Sequence, residues 1–335
     1  MYDMNFDISI IGQGFAHGSK RLTNQDVIDD FGIKMRPSFI EKNIGSKVRY
    51  FLDDEQSCSD LAVAAAQQAL SNAKCDIQQV DRLIVATSTP DFHSPSTACV
   101  VQNKLGGSGF PAYDVAAACS GFVYALDQAI RYVATGDKHV LVIGVDVRSR
   151  TLDKTNKRTA FLYGDGAGAV VISRLEKSDN KEAGFLASFL YADGAGYDAV
   201  TVPAVGSPPS LKDKYGLLAM PNGRRVSENA SKGIPYLCER VLDKTAYSLE
   251  DIDMFLFHQP NFFMLQAVKE QLQIPDEKII VNFPEFGNTV SASIPIALCQ
   301  AFNEDKLKPG MLVLLCAVGA GFTGGAHLLR WTGGQ

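Results

Sequence analysis

Apolar β-branched runs bounded by glycine alternate along this chain with alanine-rich amphipathic stretches. That alternation predicts buried strands separated by helices in a layered α/β fold. The runs are DRLIVATS (81–88), KHVLVIGVD (138–146) and AGAVVIS (167–173), and the second half repeats the order with DMFLFHQ (253–259), MLVLLCAVG (311–319) and GGAHLLR (324–330). ACSGFVYAL (118–126) and GNTVSASIPIAL (287–298) fall in the same slot of each set, a small-residue turn opening a helix. The chain therefore reads as an internal duplication, with halves over 1–178 and 179–335. Equivalent loops of a duplicated unit meet near one pseudo-axis, so Cys119 and His258 are expected to converge there. The glycine- and proline-rich stretch from about 184 to 235 reads as an irregular connector plus loops over a channel. Residues 30–50, with five Lys/Arg, read as a mixed helix-loop cap on the first half or as plain solvated surface.

Composition narrows the class without naming it. A length of 335 residues at 46% hydrophobic and 21% charged allows a real core, and 32 Lys+Arg against 37 Asp+Glu leave a net charge of −5. No global field then draws the protein to nucleic acid or to an anionic membrane. No apolar run approaches the ~20 residues of a membrane span. The N-terminal MYDMNFDISIIGQG lacks a basic region followed by a long apolar stretch. The seven cysteines are odd in number, scattered and without a CxxC pair, which argues against a disulfide framework or a zinc site. The expectation is a cytoplasmic enzyme in a reducing compartment.

Cys119 carries the candidate chemistry. Small residues flank it in AAACSGF and a helical pattern follows, which places it in a tight turn at a helix N-terminus. Exposed amides and the helix dipole favour a thiolate there, and with a nearby imidazole such a thiol falls from about 8.5 to about 3.5–7.5. The other six cysteines read as inert. His258 ends an apolar strand in FLFHQPN, ahead of Pro260 and Asn261, at the strand end where α/β folds place ligands. Asn288 lies in FGNTVSAS, in the turn matching that of Cys119, where an amide donates without titrating, or else simply caps the helix. His17, His93, His139 and His327 read as surface or packing residues. The glycines of IGQGFAHG (11–18) are spaced GxGxxxG with no helix directly after, which argues against a nucleotide site. YGDGAGAVV (163–171) and VGAGFTGGA (318–326) occupy equivalent places, and the second offers the amide of Gly321 to an oxyanion.

Cys119 in ACSGF, His258 in HQPN, Asn288 in GNTVSAS and the terminal GAGFTGGA together resemble the β-ketoacyl-acyl-carrier-protein synthase III family, over nearly the whole chain. The resemblance implies a thiolase-like fold: duplicated α/β half-domains in an α-β-α-β-α layering. It implies that an acyl-CoA acylates Cys119, and that His258 and Asn288 hold the enolate formed when malonyl-acyl carrier protein or malonyl-CoA loses carbon dioxide. The amides of Cys119 and Gly321 would bind the oxyanion at the acyl carbonyl. No metal or redox cofactor is implied. It further implies a homodimer, a CoA site with Phe39 on the adenine and Lys157 or Arg158 on phosphate, and a pocket loop 89–97 that shapes the partner's acyl site.

Departures from the family pattern bear on the acyl chain. Ser94, Ser227 and Gly324 stand where bulky rings are common, which predicts room for a medium, long or aromatic acyl group. Phe263 stands where members that dock carrier protein usually carry an arginine. Cys, His and Asn in this order also suit a thioesterase or papain-like hydrolase, although a CGSCW-like context near the N-terminus is missing. A non-catalytic partner subunit of a condensing heterodimer is the third reading, and the retained nucleophile weighs against it.

Overall fold

The computed structural model describes residues 7–175 and 183–334, so the boundary expected at 178/179 lies outside the described residues. The strands are β1 (Ile8–His17), β2 (Lys20–Thr23), β3 (Val48–Phe51), β4 (Arg82–Ala86), β5 (Ala112–Val115), β6 (His139–Asp146), β7 (Gly166–Arg174), β8 (Gly184–Ala192), β9 (Met254–Phe257), β10 (Leu312–Gly319) and β11 (Thr323–Arg330). One sheet has the order β1-β7-β6-β4-β5 and another β8-β11-β10-β9, while β2 and β3 form a short separate pair. In the first sheet β7 runs antiparallel to β1 and β6, and β6, β4 and β5 are mutually parallel. The second repeats this: β11 is antiparallel to β8 and β10, and β10 is parallel to β9. A parallel bridge from Phe255 to Ile279 extends it where β5 extends the first.

Strand burial explains the layering. In β6, Val140 and Val142 face one core while Leu141, Ile143 and Val145 face another, so the strand is apolar on both sides. In β10, Val313, Leu315 and Ala317 share the core of Val140, while Leu312, Leu314 and Cys316 face a third. Helices Gly121–Thr135 and Ser293–Asn303 fill the space between the two sheets. Helix Cys58–Asn72 covers the outside of the first sheet, and helix Gly223–Leu242 the outside of the second. Five layers, α-β-α-β-α, result.

The stretch expected to be irregular from 184 to 235 is only partly so. Residues 184–192 form edge strand β8, paired with β11 through Phe185 to Ala192, and residues 223–242 are helical. In GFLASFLYA a register shift at Leu186 puts Phe185 into the core between the sheets and Ala187 with Phe189 into the outer core, so the strand shows no clean two-residue alternation. The glycines at 12 and 14 serve packing. A Cβ on Gly14 would lie 2.4 Å from the Ala65 carbonyl oxygen, because the alanine-lined helix Cys58–Asn72 rests directly on β1. Gly14→Ala is expected to destabilise the fold by about 1–3 kcal/mol, read as a lower denaturant midpoint at constant m-value. No helix among the described residues is long and apolar enough to cross a membrane.

Candidate active site

The nucleophile turn and its counterpart have the same backbone. Ala118–Ser120 forms one 3₁₀ turn ahead of helix Gly121–Thr135, and Val290–Ala292 forms one ahead of helix Ser293–Asn303. Ala118 at φ +46° and Val290 at φ +53° occupy the left-handed region, an unusual place for side chains with a Cβ. The positive-φ residues set the register, and the residue after each is Cys119 in one half and Ser291 in the other. Asn288 is therefore not the positional match of Cys119 that the sequence suggests. It lies three residues ahead of that match, at the entry to the turn.

Each polar group is held by the opposite half or by the end of a strand. His258 directly follows β9, and its N–H donates to the Cys316 carbonyl (2.9 Å). The Asn288 N–H donates to Leu162 O (2.7 Å), and Gly164 N–H donates to Asn288 O (3.2 Å), so the first half grips the turn of the second. The Asn288 side chain is oriented as well. Its Oδ1 accepts from Val290 N–H (2.9 Å) and its Nδ2 donates weakly to Pro260 O (3.4 Å), which leaves an amide proton for a ligand. Ser293 Oγ lies 2.7 Å from His258 Nδ1 and 3.0 Å from Val290 O. The one Ser293 hydroxyl proton serves either the Val290 carbonyl or Nδ1; the imidazole proton resides on Nε2, ready to be donated, when the hydroxyl donates to Nδ1, and on Nδ1 when it donates to Val290 O.

A cavity of about 1440 Å³ brings Cys119, His258, Asn288, Gly321, Asn261, Ser227 and Arg158 to one space. Gly321 is at φ +116°, a conformation that favours glycine. Asn261 caps the following helix through Met264 N–H (2.9 Å) while lining the cavity. Phe39 is 54% exposed on the helix Pro37–Asn43, whose last residue lines the cavity. Lys157 is exposed beside Arg158, and Ser94 is exposed outside this cavity, on the loop whose Phe92 and His93 line it. Gly324 borders a second cavity of about 340 Å³ that shares Asn229, Val318, Phe322 and Thr323 with the first. Among the described residues no group of three His, Cys, Asp or Glu is placed to hold a metal.

Electrostatics reverse one expectation. Burial is the main influence on the Cys119 thiol and pushes it from 9.0 up to about 12, with Arg148 opposing the rise and Asp146 adding to it. The turn therefore holds a thiol at neutral pH, above the range that the helix N-terminus suggests, with desolvation as the largest influence. Burial lowers His258 from 6.5 to about 3, so its imidazole is neutral. Alkylation of Cys119 by iodoacetamide is expected to rise about tenfold per pH unit between about pH 7 and pH 10, following the thiolate fraction. A plateau reached below about pH 8 would contradict this.

Sequence reasoning missed Arg148, Asp146, Ser291 and Ser293. Asp146 ends β6 and Arg148 stands two residues beyond it, at a strand's carboxyl end, the same cue that singled out His258. Ser291 and Ser293 lie in the SAS of the Asn288 turn and carry no cue of their own.

Comparison with known proteins decides the family. The model described as "3-Oxoacyl-[acyl-carrier-protein (ACP)] synthase III" matches residues 113–194, and its C-terminal counterpart matches 242–331. A β-ketoacyl-[acyl-carrier-protein] synthase III from Oleidesulfovibrio alaskensis is 38% identical over 328 residues, covering 96% of this chain and 98% of that protein. The chain belongs to the β-ketoacyl-acyl-carrier-protein synthase III family. Another such synthase, from Synechocystis, is 38% identical over 339 residues, covering 99% of this chain and 100% of its own. The crystal structure of 3-oxoacyl-[acyl-carrier-protein] synthase III from Aquifex aeolicus superimposes with a TM-score of 0.89 at 37% identity, covering 97% of this chain and 100% of the other. As a member of this family the protein is a condensing acyltransferase of thiolase fold.

Proposed function

We propose that this synthase transfers an acyl group from acyl-CoA to Cys119 and condenses it with a malonyl thioester, releasing carbon dioxide and a β-ketoacyl thioester. The observation that carries this reading is the single cavity that gathers a turn-borne thiol, a neutral imidazole and an oriented amide. In the first step the bond from Cys119 Sγ to the acyl carbon forms, the CoA carbon–sulfur bond breaks, and the thiol proton leaves on CoA. The amides of Cys119 and Gly321 would hold the oxyanion. In the second step the malonyl carboxylate departs as carbon dioxide, and Nε2–H of His258 and Nδ2–H of Asn288 donate to the enolate oxygen. Neutral donors stabilise that charge without protonating the nucleophilic carbon, which then attacks the acyl-enzyme and frees the thiolate. The two steps move no electrons to or from a cofactor, so none enters.

Phe39 at the mouth would stack on the CoA adenine, with Lys157 and Arg158 meeting its phosphates. The outer edge of β5 has no strand partner among the described residues, and it ends the first sheet beside the exposed loop carrying Phe92 and Ser94. An unpaired edge of this kind supports a homodimer with paired β5 strands. In such a dimer Ser94 would act on the partner's cavity. Seven free thiols accord with a cytoplasmic location.

The test is product analysis with an acyl-CoA and malonyl-acyl carrier protein or malonyl-CoA. A β-keto thioester one two-carbon unit longer is the expected product; release of free acid alone would favour the hydrolase reading.

A further inference from the structure

We propose that Arg148 selects an acyl donor whose chain ends in a carboxylate, a dicarboxylic monothioester of CoA. This rests on the acyl-transfer reading above and names the substrate class for the same cavity. Arg148 opens the short turn Arg148–Thr151 after β6 and lines the cavity together with Cys119, Ser88 and Thr151. Its side chain is only 5% exposed. The other arginines lining that cavity, Arg158 and Arg224, are exposed. Arg148 is thus the cation on the inner wall, in the space that an acyl group on Cys119 has to enter.

Its guanidinium is under-partnered. Nη2 donates to Ser88 Oγ, Nη1 makes a long contact to Thr151 Oγ1 (3.5 Å), and Nε is buried without a partner. The nearest carboxylate, Asp146, is 3.8 Å away, an ion pair without a hydrogen bond. Asp146 is already occupied by others. Its Oδ1 accepts from Ser88 N–H (2.9 Å), Ser88 Oγ (2.7 Å) and Thr89 Oγ1 (3.3 Å), and its Oδ2 from Ser291 N–H (3.1 Å) and Oγ (2.6 Å). The carboxylates that line the cavity, Asp91 and Asp114, are likewise occupied. Asp91 accepts from Ser59 N–H and Oγ, and Asp114 from Thr97 N–H and Ala98 N–H at a helix start. The negative groups on this wall are satisfied by built-in donors while the positive one is not.

An alkyl tail laid against this wall would strip water from the guanidinium and supply no acceptor, which is costly for a buried charge. A terminal carboxylate supplies the acceptors that a planar fork of N–H donors matches.

The test compares donors matched in length. Acylation of the full-length protein is followed by intact mass with glutaryl-CoA against pentanoyl-CoA, and with succinyl-CoA against butanoyl-CoA. The carboxylated donor is expected to load Cys119 faster by about tenfold to a hundredfold, the range of a charge-assisted hydrogen bond in a buried site. In Arg148→Met that ratio is expected to fall to one or below, and Arg148→Lys to keep part of it. Any effect of these variants on the thiol itself acts on both donors and cancels in the ratio. Equal loading of the matched donors by the parent protein overturns the proposal even if Arg148→Met fails to fold, and so does a ratio that Arg148→Met leaves intact. Exclusive loading by apolar donors leaves acyl transfer standing and removes only the inference, whereas no added mass with any donor removes both.

Discussion

Cys119→Ala is expected to abolish covalent loading by every acyl-CoA, with condensation falling by about 10⁴-fold or more, the scale seen when a covalent nucleophile is removed. Of the seven free thiols, Cys58, Cys75, Cys238, Cys299 and Cys316 are buried away from the cavity, and Cys99 is exposed outside it. Burial holds the thiols of Cys58, Cys299 and Cys316 above their ordinary range as it does that of Cys119, so access to the cavity and not acidity sets Cys119 apart. Cys119 alone combines access to the cavity with a left-handed turn that opens a helix. Intact-protein mass after incubation with acyl-CoA is the measurement, and an acyl increment retained in the variant would falsify the assignment.

His258→Ala and Asn288→Ala are each expected to slow malonyl decarboxylation by about 10²–10³-fold, the usual cost of losing one oxyanion donor. Loading of Cys119 should fall far less, because the oxyanion of that step is assigned to backbone amides. The two half-reactions are separable, the first by mass and the second by carbon dioxide release. Equal losses in both would point to a general hydrolase-like role for His258. The pH profile adds a check. A histidine lowered to about 3 gains its proton only below that pH, so its neutral form persists through the physiological range. Decarboxylation should therefore show no histidine inflection between about pH 5 and pH 8. An inflection near the ordinary value of 6.5 would mean that the imidazole works while exposed to water.

Much of the fold is written in local patterns. The runs at 138–146, 167–173, 253–259, 311–319 and 324–330 overlap β6, β7, β9, β10 and β11 to within a residue or two, because strands buried on both faces need nearly unbroken apolar stretches. β8 escaped that reading because a serine interrupts it and a register shift against β11 sends Phe185 and Ala187 to different cores, so no single apolar face runs along it. At the site, residue types and order identify Cys119, His258 and Asn288 as a set, and one cavity contains all three. Two properties lie beyond a local reading. The acidity of Cys119 depends on how much water the surrounding layers exclude, a sum over groups distant in sequence. The exposure of Ser94 outside the cavity, on the loop whose Phe92 and His93 line it, depends on how that loop packs over residues distant in sequence.

The two left-handed turns have a further consequence for how this protein comes apart. Each turn is seated in the opposite half: Ser291 hydrogen-bonds Asp146 and the Ala86 carbonyl, and Ser120 hydrogen-bonds Thr323. Glycines admit them, since a Cβ at Gly144 would lie 2.5 Å from Ser291 O and one at Gly319 would lie 2.9 Å from Ser120 N. Melting one half thus unseats a turn of the other and strips partners from the buried Asp146. The halves are mechanically interlocked, so heat should release them in a single calorimetric event, with catalytic competence and the last tertiary structure disappearing at the same temperature.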